Sequence, residues 1–166
     1  MRLRNLEQKD ASFMLEWMHD ESVVQDMKTN FREKTIQDCE AFIQNSRDNT
    51  SDLHLAVVDD NDTYMGTVSL KHIKDGTAEF AITVRSCAMG KGYSNYAMKE
   101  IINKGFIDLG LDSIYWCVNP DNKRAVRFYD KNGYNRISHT QLEIRWYSTE
   151  EIQNYIWYQA IRNKRS

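Results

Sequence analysis

Val84-Arg85-Ser86-Cys87-Ala88-Met89-Gly90-Lys91-Gly92-Tyr93-Ser94-Asn95-Tyr96 joins two different periodicities. On its N-terminal side, Thr77–Arg85 alternates with period two. Ala78, Phe80, Ile82 and Val84 share one face; Thr77, Glu79, Ala81 and Thr83 share the other, as in a strand. On its C-terminal side, from about Gly92 to Leu109, Ala97, Met98, Ile101, Ile102, Gly105 and Phe106 recur at helical spacing. Gly110 stands where a helix ends in the left-handed conformation. The loop Ser86–Lys91 between them leads into Gly92. Glycine lets a backbone approach a ligand closely and turn its N–H groups inward. A helix N-terminus adds unpaired donors and a partial positive charge. Together these make a cradle for a pyrophosphate. By itself, the same pattern is also ordinary turn chemistry.

Upstream, the chain reads as a short strand at Arg2–Asn5, then a helix over Leu6–Met18 and another over Lys34–Ser46. His19–Glu33 between those helices is polar and acidic, with few structural signals. Leu53–Val58, Tyr64–Ile73 and Thr77–Arg85 form an antiparallel meander, punctuated by turns at Asp59–Asp62 and Asp75-Gly76. Downstream, Asp112–Val118 is a short buried strand. A strand, a long helix and another strand imply a right-handed crossover with parallel neighbours. Asn119–Asn122 ends that strand and caps a helix running to about Asn132, closed by Gly133. Tyr134–Ser138 and Tyr155–Ala160 read as final strands, and Leu142–Asn154 between them fits no one pattern. No repeat and no domain boundary interrupts 1–166, so one domain is expected.

The composition narrows the function. Residues 1–60 hold 13 acidic and 7 basic side chains, and residues 61–166 hold 11 acidic and 15 basic. Either the charges are scattered over a solvated surface, or the second part meets a polyanion and the first a cation. No basic stripe suggests a nucleic acid. No apolar run approaches a membrane span and no signal peptide opens the chain, so a cytoplasmic location is expected. Cys39, Cys87 and Cys117 are odd in number and far apart, which makes a disulfide framework or a metal site improbable.

The second informative stretch is Asn122-x-x-Ala125-x-x-x-Tyr129-x-x-x-Gly133-Tyr134. Asn122, Ala125 and Tyr129 fall on one helix face. A small alanine there permits close approach, and the tyrosine sets a hydroxyl at fixed height. Read alone, Tyr129 is equally a core aromatic.

In this order and at this separation, both stretches resemble the signature motifs of the GNAT acetyltransferase superfamily. The cofactor loop of that family, Gln/Arg-x-x-Gly-x-Gly/Ala, is similar to Met89-Gly90-Lys91-Gly92-Tyr93-Ser94, with Met89 for the usual Gln or Arg and Ser94 for the usual Gly or Ala. The loss at 89 is a side chain, whereas the cradle is mainly backbone. The downstream motif is matched at every position. Within the superfamily the chain looks closest to the ribosomal-protein and polyamine acetyltransferase branch. The resemblance implies a mixed, mostly antiparallel twisted α/β sheet of about six to seven strands with a splayed parallel central pair and about four helices. It implies acetyl-CoA as co-substrate, without metal, and direct acetyl transfer to a primary amine in a ternary complex. Backbone groups of Ile82, Thr83 and Val84 are implied to pair with the pantetheine arm, while Asn122 and Ala125 face the cofactor.

Tyr129 matches the position of the family's general acid. Glu79 is the candidate base, with His72 the second choice. Cys87 reads as a small core residue rather than a nucleophile, and Trp17, Met18, Trp146 and Trp157 as core packing rather than an aromatic box. Asp20, Glu21 and Asp26 lie in the region implied to border the acceptor, and either hold a cationic amine or form a solvated loop. The acceptor expected is a small molecule: a polyamine, an amino acid, or an amino sugar that is free or nucleotide-linked. A protein N-terminus or lysine, or a non-catalytic acyl-CoA-binding module, remains open, as does a homodimer.

Overall fold

The computed structural model describes residues 1–141 and 144–163. Seven strands, β1 (Arg2–Asn5), β2 (Leu53–Val58), β3 (Tyr64–Lys74), β4 (Thr77–Val84), β5 (Ser113–Val118), β6 (Asn135–Ile137) and β7 (Ile156–Ile161), form one sheet. Their order is β1-β2-β3-β4-β5-β7-β6. Every neighbouring pair is antiparallel except β4 and β5. The expected meander and the expected parallel crossover are both present.

Six helices flank the sheet among the described residues, rather than about four: α1 (Ala11–Met18), α2 (Glu21–Val24), α3 (Ile36–Ser46), α4 (Tyr93–Ile107), α5 (Lys123–Lys131) and α6 (Thr149–Asn154). The additional ones are short. α2 lies in the stretch that carried few signals, nucleated by Asp20, whose side chain accepts from the Ser22 amide. α6 starts from a reciprocal cap in which Ser148 and Glu151 each accept from the other's backbone. α1 begins later than its apolar pattern, because Gln8–Asp10 forms a 3-10 turn first.

Period-two alternation sorts the sheet into two faces. Val57, Val68, Leu70, Ala78, Phe80, Ile114 and Trp116 pack against α4 and α5. The other face carries two separate covers. Met14, Trp17, Cys39 and Ile43 of α1 and α3 lie over Ala56, Val58 and Tyr64. Ile144 and its neighbours lie over Tyr115 and Trp157. Trp17, Met18 and Trp157 are core residues as expected. Trp146 is not: it is 39% exposed and stacks on His72 at 3.9 Å between ring centroids. Cys87 is exposed rather than core, because it sits in a 3-10 turn at the protein surface.

Two close approaches fix the sheet, one where the glycine loop leaves it and one at the far end of α4. An added Cβ on Gly66 of β3 would lie 2.5 Å from the Thr83 carbonyl and 2.9 Å from Val84 Cγ1. On Gly105 of α4 it would lie 3.0 Å from both Ile114 Cδ1 and Leu70 Cδ1. Gly66→Ala therefore has to push the end of β4 aside. It is expected to lower stability by about 1–3 kcal/mol, read from urea unfolding, as overpacking of a dense interior does. An unchanged denaturation midpoint would show that β4 yields there without strain.

Candidate functional site

β4 and β5 pair over only three positions, Thr77 with Ser113, Ala78 with Ile114 and Glu79 with Tyr115. Beyond Glu79 and Tyr115 they part. The Arg85 amide donates to the Met65 carbonyl at 2.8 Å, and the register from there back to Glu79 is unbroken. Successive residues of a strand turn their backbone groups to opposite sides. Phe80, Ile82 and Val84 therefore point theirs toward the opening, and Thr83 turns toward β3. Of the three residues expected to meet a ligand through the backbone, Ile82 and Val84 are placed for it and Thr83 is not.

The opening leads to the glycine loop. Gly90 has φ +76° and Gly92 φ +89°, both in the left-handed region that favours glycine. Gly92 stands at the N-cap of α4, and no side chain caps that end. In contrast, α2, α3, α5 and α6 each receive a side-chain cap, from Asp20, Thr35, Asn122 and Ser148. The first bond of α4 runs from the Tyr96 amide to the Gly92 carbonyl, so the amides of Tyr93, Ser94 and Asn95 precede it. An uncapped, left-handed start of a long helix suits a pyrophosphate. The residues present fit coenzyme A.

α5 supplies the other wall. Asn122 accepts from the Ala125 amide at 3.2 Å, which explains the asparagine as a helix cap. Tyr129 is buried among Trp116, Tyr134 and Tyr158, with ring centroids 5.6, 6.4 and 5.0 Å away. Burial pushes its phenol up, so the hydroxyl stays neutral and able to donate. Sequence reasoning missed Arg124. Its guanidinium reaches the Met89 sulfur at 3.2 Å, bringing a cation to the loop position where the family's usual side chain is missing. The signal available was the helical register, which sets Arg124 beside Ala125 near the loop.

Glu79 sits at the vertex where the strands part, and it is only 2% exposed. The Tyr147 hydroxyl donates to its Oε2 at 2.8 Å. Oε1 has no hydrogen-bond partner among the described residues, although the Lys71 ammonium lies 3.4 Å away and His72 Nε2 4.0 Å away. One oxygen is thus held and the other is left for a proton. Tyr147 is kept neutral by its burial, then by the nearby Cys117 and Glu79. Burial also pushes the Cys117 thiol up to about 12, which makes it a poor nucleophile. Tyr147 is the second residue missed. It belongs to the stretch that fitted no pattern, and only the folded sheet brings it to Glu79. Glu79 and Tyr115 carry their side chains on one face of the sheet, and Phe80 and Trp116, whose rings meet at 5.5 Å, carry theirs on the other. Glu79 and Tyr129 therefore flank the opening from opposite sides of the sheet.

Of the acidic residues expected to border the acceptor, Asp20 and Glu21 have partners of their own. The Asp20 carboxylate is held below the usual range by the Ser22 hydroxyl and then by the Ser86 hydroxyl, which places α2 beside the entry to the glycine loop. Glu21 is paired with Arg32. Asp26 is half-buried. Lys28, just beyond, pairs with Glu151 at 2.5 Å and lies 4.9 Å over the Tyr147 ring. The α2 region and the C-terminal segment thereby meet above the vertex.

The chain matches the family model described as an acetyltransferase (GNAT) domain over residues 1–135. It is 24% identical over 135 residues to an uncharacterized N-acetyltransferase, YnaD, of Bacillus subtilis, covering 81% of this chain and 78% of that one. It is also 24% identical over 141 residues to an uncharacterized N-acetyltransferase, p20, of Bacillus licheniformis, covering 82% and 79%. Among solved structures, the spermidine N-acetyltransferase from Vibrio cholerae in complex with CoA and spermine superposes with a TM-score of 0.79 at 21% identity, covering 96% of this chain and 94% of that one.

Gly92→Asp places bulk and negative charge at the cradle. It is expected to weaken coenzyme A binding at least about tenfold, or about 1.4 kcal/mol, by calorimetry. An unaltered affinity would remove the cradle from the binding site. Glu79→Gln keeps the shape at the vertex and removes the carboxylate expected to act as base. At saturating acetyl-CoA, kcat should fall by about 10²–10⁴, with coenzyme A affinity unchanged.

Proposed function

The chain belongs to the GNAT acetyltransferase family and is an acetyl-CoA-dependent N-acetyltransferase, and on that footing we propose that its acceptor is the primary amine of a small molecule. One observation supports this above others. Glu79, the proton acceptor at the vertex, is buried beneath Tyr147, and the Lys28–Glu151 pair joins two segments above it. A roofed vertex admits a slender amine more readily than a folded protein surface.

Acetyl-CoA supplies the activated acetyl group. The Gly90–Ser94 backbone holds its pyrophosphate, and Ile82 and Val84 offer strand-like pairing along the opening. A primary amine has a free pKa near 10 and arrives protonated. Oε1 of Glu79 takes that proton, directly or through one water, while the Tyr147 hydroxyl steadies Oε2. Tyr129 gives its phenolic proton to the departing sulfur from the opposite face. The phenol approaches the sulfur uncharged, and the phenolate it leaves is reprotonated from solvent before the next turnover.

Within small amines, the charges favour an acceptor with one reacting amine and its own polar or anionic groups, such as an amino acid or an amino sugar. Glu16, Glu21, Glu79 and Glu151 already face Arg85, Arg32, Lys71 and Lys28. A long polycation needs carboxylates that are not already neutralised. The polyamine reading rests on the fold it shares with the spermidine N-acetyltransferase.

Thiol release measured with a panel of amino acids, amino sugars, polyamines and N-terminal peptides should give the highest kcat/KM with the first two. A best activity on spermine or on a peptide would overturn the acceptor class. Tyr129→Phe keeps the ring packing and removes only the hydroxyl. Its kcat should drop by about 10²–10⁴ with coenzyme A affinity and thermal stability little changed. A near-wild-type kcat, measured where product release is not limiting, would return the proton-donor role to water.

A further inference from the structure

β3 breaks its alternation beside the vertex. Lys71 pairs with Glu79 in register, and the register then shifts before Lys74 pairs with Thr77. In a regular strand His72 would turn to the face opposite Lys71. Instead its φ is +55°, in the left-handed region that glycine adopts readily and a residue with a side chain seldom does. A bulge of this kind re-aims a side chain. The His72 amide donates to Asp52 Oδ1 and the Ile73 amide to the Ser51 carbonyl, each at 2.8 Å, so the segment before β2 holds the bulge in place. Two consecutive side chains, Lys71 and His72, thereby reach one carboxylate oxygen, Oε1 of Glu79, at 3.4 and 4.0 Å. Backbone strain beside a reactive group points to a task for the side chain it aims.

That oxygen is closed off from solvent and has no hydrogen-bond partner among the described residues. A proton arriving on it needs a carrier to leave. Oε2 is engaged by the Tyr147 hydroxyl. Lys71 presents an ammonium, which donates and has no electron pair to accept with. His72 can do both, because imidazole accepts at one nitrogen while it donates from the other. Its side chain is 37% exposed and that of Glu79 is 3% exposed, so it connects the buried oxygen to the surface. Trp146, stacked on the ring at 3.9 Å, keeps it in this position. One water, or a movement of about 1 Å, brings Nε2 within hydrogen-bond reach of Oε1.

We propose that His72 is the proton relay of the reaction: it takes from Oε1 of Glu79 the proton lost by the amine and passes a proton on to solvent. This rests on Glu79 acting as the base. The protons balance. The incoming ammonium loses two N–H protons as its nitrogen bonds to the acetyl carbon. One is matched by the proton that the coenzyme A sulfur gains as the carbon–sulfur bond breaks. The other leaves through Glu79 and then His72, and both side chains end as they began.

The test uses His72→Gly, since glycine suits the φ of +55°, with a thermal melt to check the fold and His72→Gln as a second variant. kcat is measured at saturating acetyl-CoA with the best acceptor amine, where product release is not limiting. Both variants should lose about 10² in kcat, with coenzyme A affinity unchanged. Added imidazole should restore much of the loss in His72→Gly, whereas 1,2,4-triazole, a ring of the same size and far weaker basicity, should not. A near-wild-type kcat in both variants would overturn the proposal. Equal effects of the two rings, whether both restore activity or neither does, would also overturn it, since the histidine would then only be shaping the vertex. Glu79→Gln in the same assay separates the relay from the base. If it loses activity and the histidine variants do not, the relay fails and the base stands. If it keeps a near-wild-type kcat, the base is misassigned and the relay falls with it.

Discussion

β4 and β5 touch over three residue pairs and then part, and the chemistry of the molecule is organised around that separation. β3 holds β4 along its length, and β7 holds β5 from Ser113 to Val118. Each strand is therefore fixed on its outer side and free on its inner side. A buried backbone donor or acceptor without a partner costs free energy. The opening is stable in the free protein only because it communicates with solvent, and it favours a ligand that presents amide-like groups along its length. The glycine loop lies at the wide end of the opening, and the vertex lies at the narrow end.

The vertex carries a costly group. Placing a carboxylate at 2% exposure is unfavourable by several kcal/mol unless it is compensated. Compensation comes from three side chains. Lys71 belongs to β3 and lies across from Glu79 in register, Tyr147 comes from the segment before α6, and His72 follows Lys71 on β3. Tyr147 is in turn overlaid by Lys28, whose own partner is Glu151. A side chain on the α2 side of the molecule thus bears on the geometry of a carboxylate at the sheet centre.

Much of this was legible in the sequence, and the part that was not has a physical reason. The meander, the crossover and both glycines follow from local periodicity and from the conformations only glycine adopts easily. The face shared by Asn122, Ala125 and Tyr129 follows from helix geometry alone. What the pattern could not supply was the cover. Glu79 alternates with apolar residues along β4, and nothing in that pattern announces that Tyr147, from the segment before α6, covers it. Tyr147, at a separation of 68 residues, leaves no periodic trace of that contact. Trp146 misleads in the opposite sense, because its size suggests a core position while its place is a surface stack on His72. The acidic stretch around Asp20 also has structural partners that the sequence does not show. Its carboxylates serve as a helix cap and an ion pair, roles that depend on Ser22 and Arg32.

The strand order places β7 between β5 and β6, so the strand that comes latest in the described chain lies inside the sheet rather than at its edge. On a ribosome, everything from β1 to α5 emerges while β5 is attached by three rungs alone and β6 has nothing to pair with. Long-range pairing of this kind is slow, and unpaired strand edges invite association with other chains. Residues 156–161 therefore act as a keystone set last: a polypeptide released before them has its glycine loop already synthesised but lacks the wall that holds the opening apart. Truncation before residue 156, remote in sequence from every motif that binds or reacts, is on this account as damaging as a lesion in the motifs themselves.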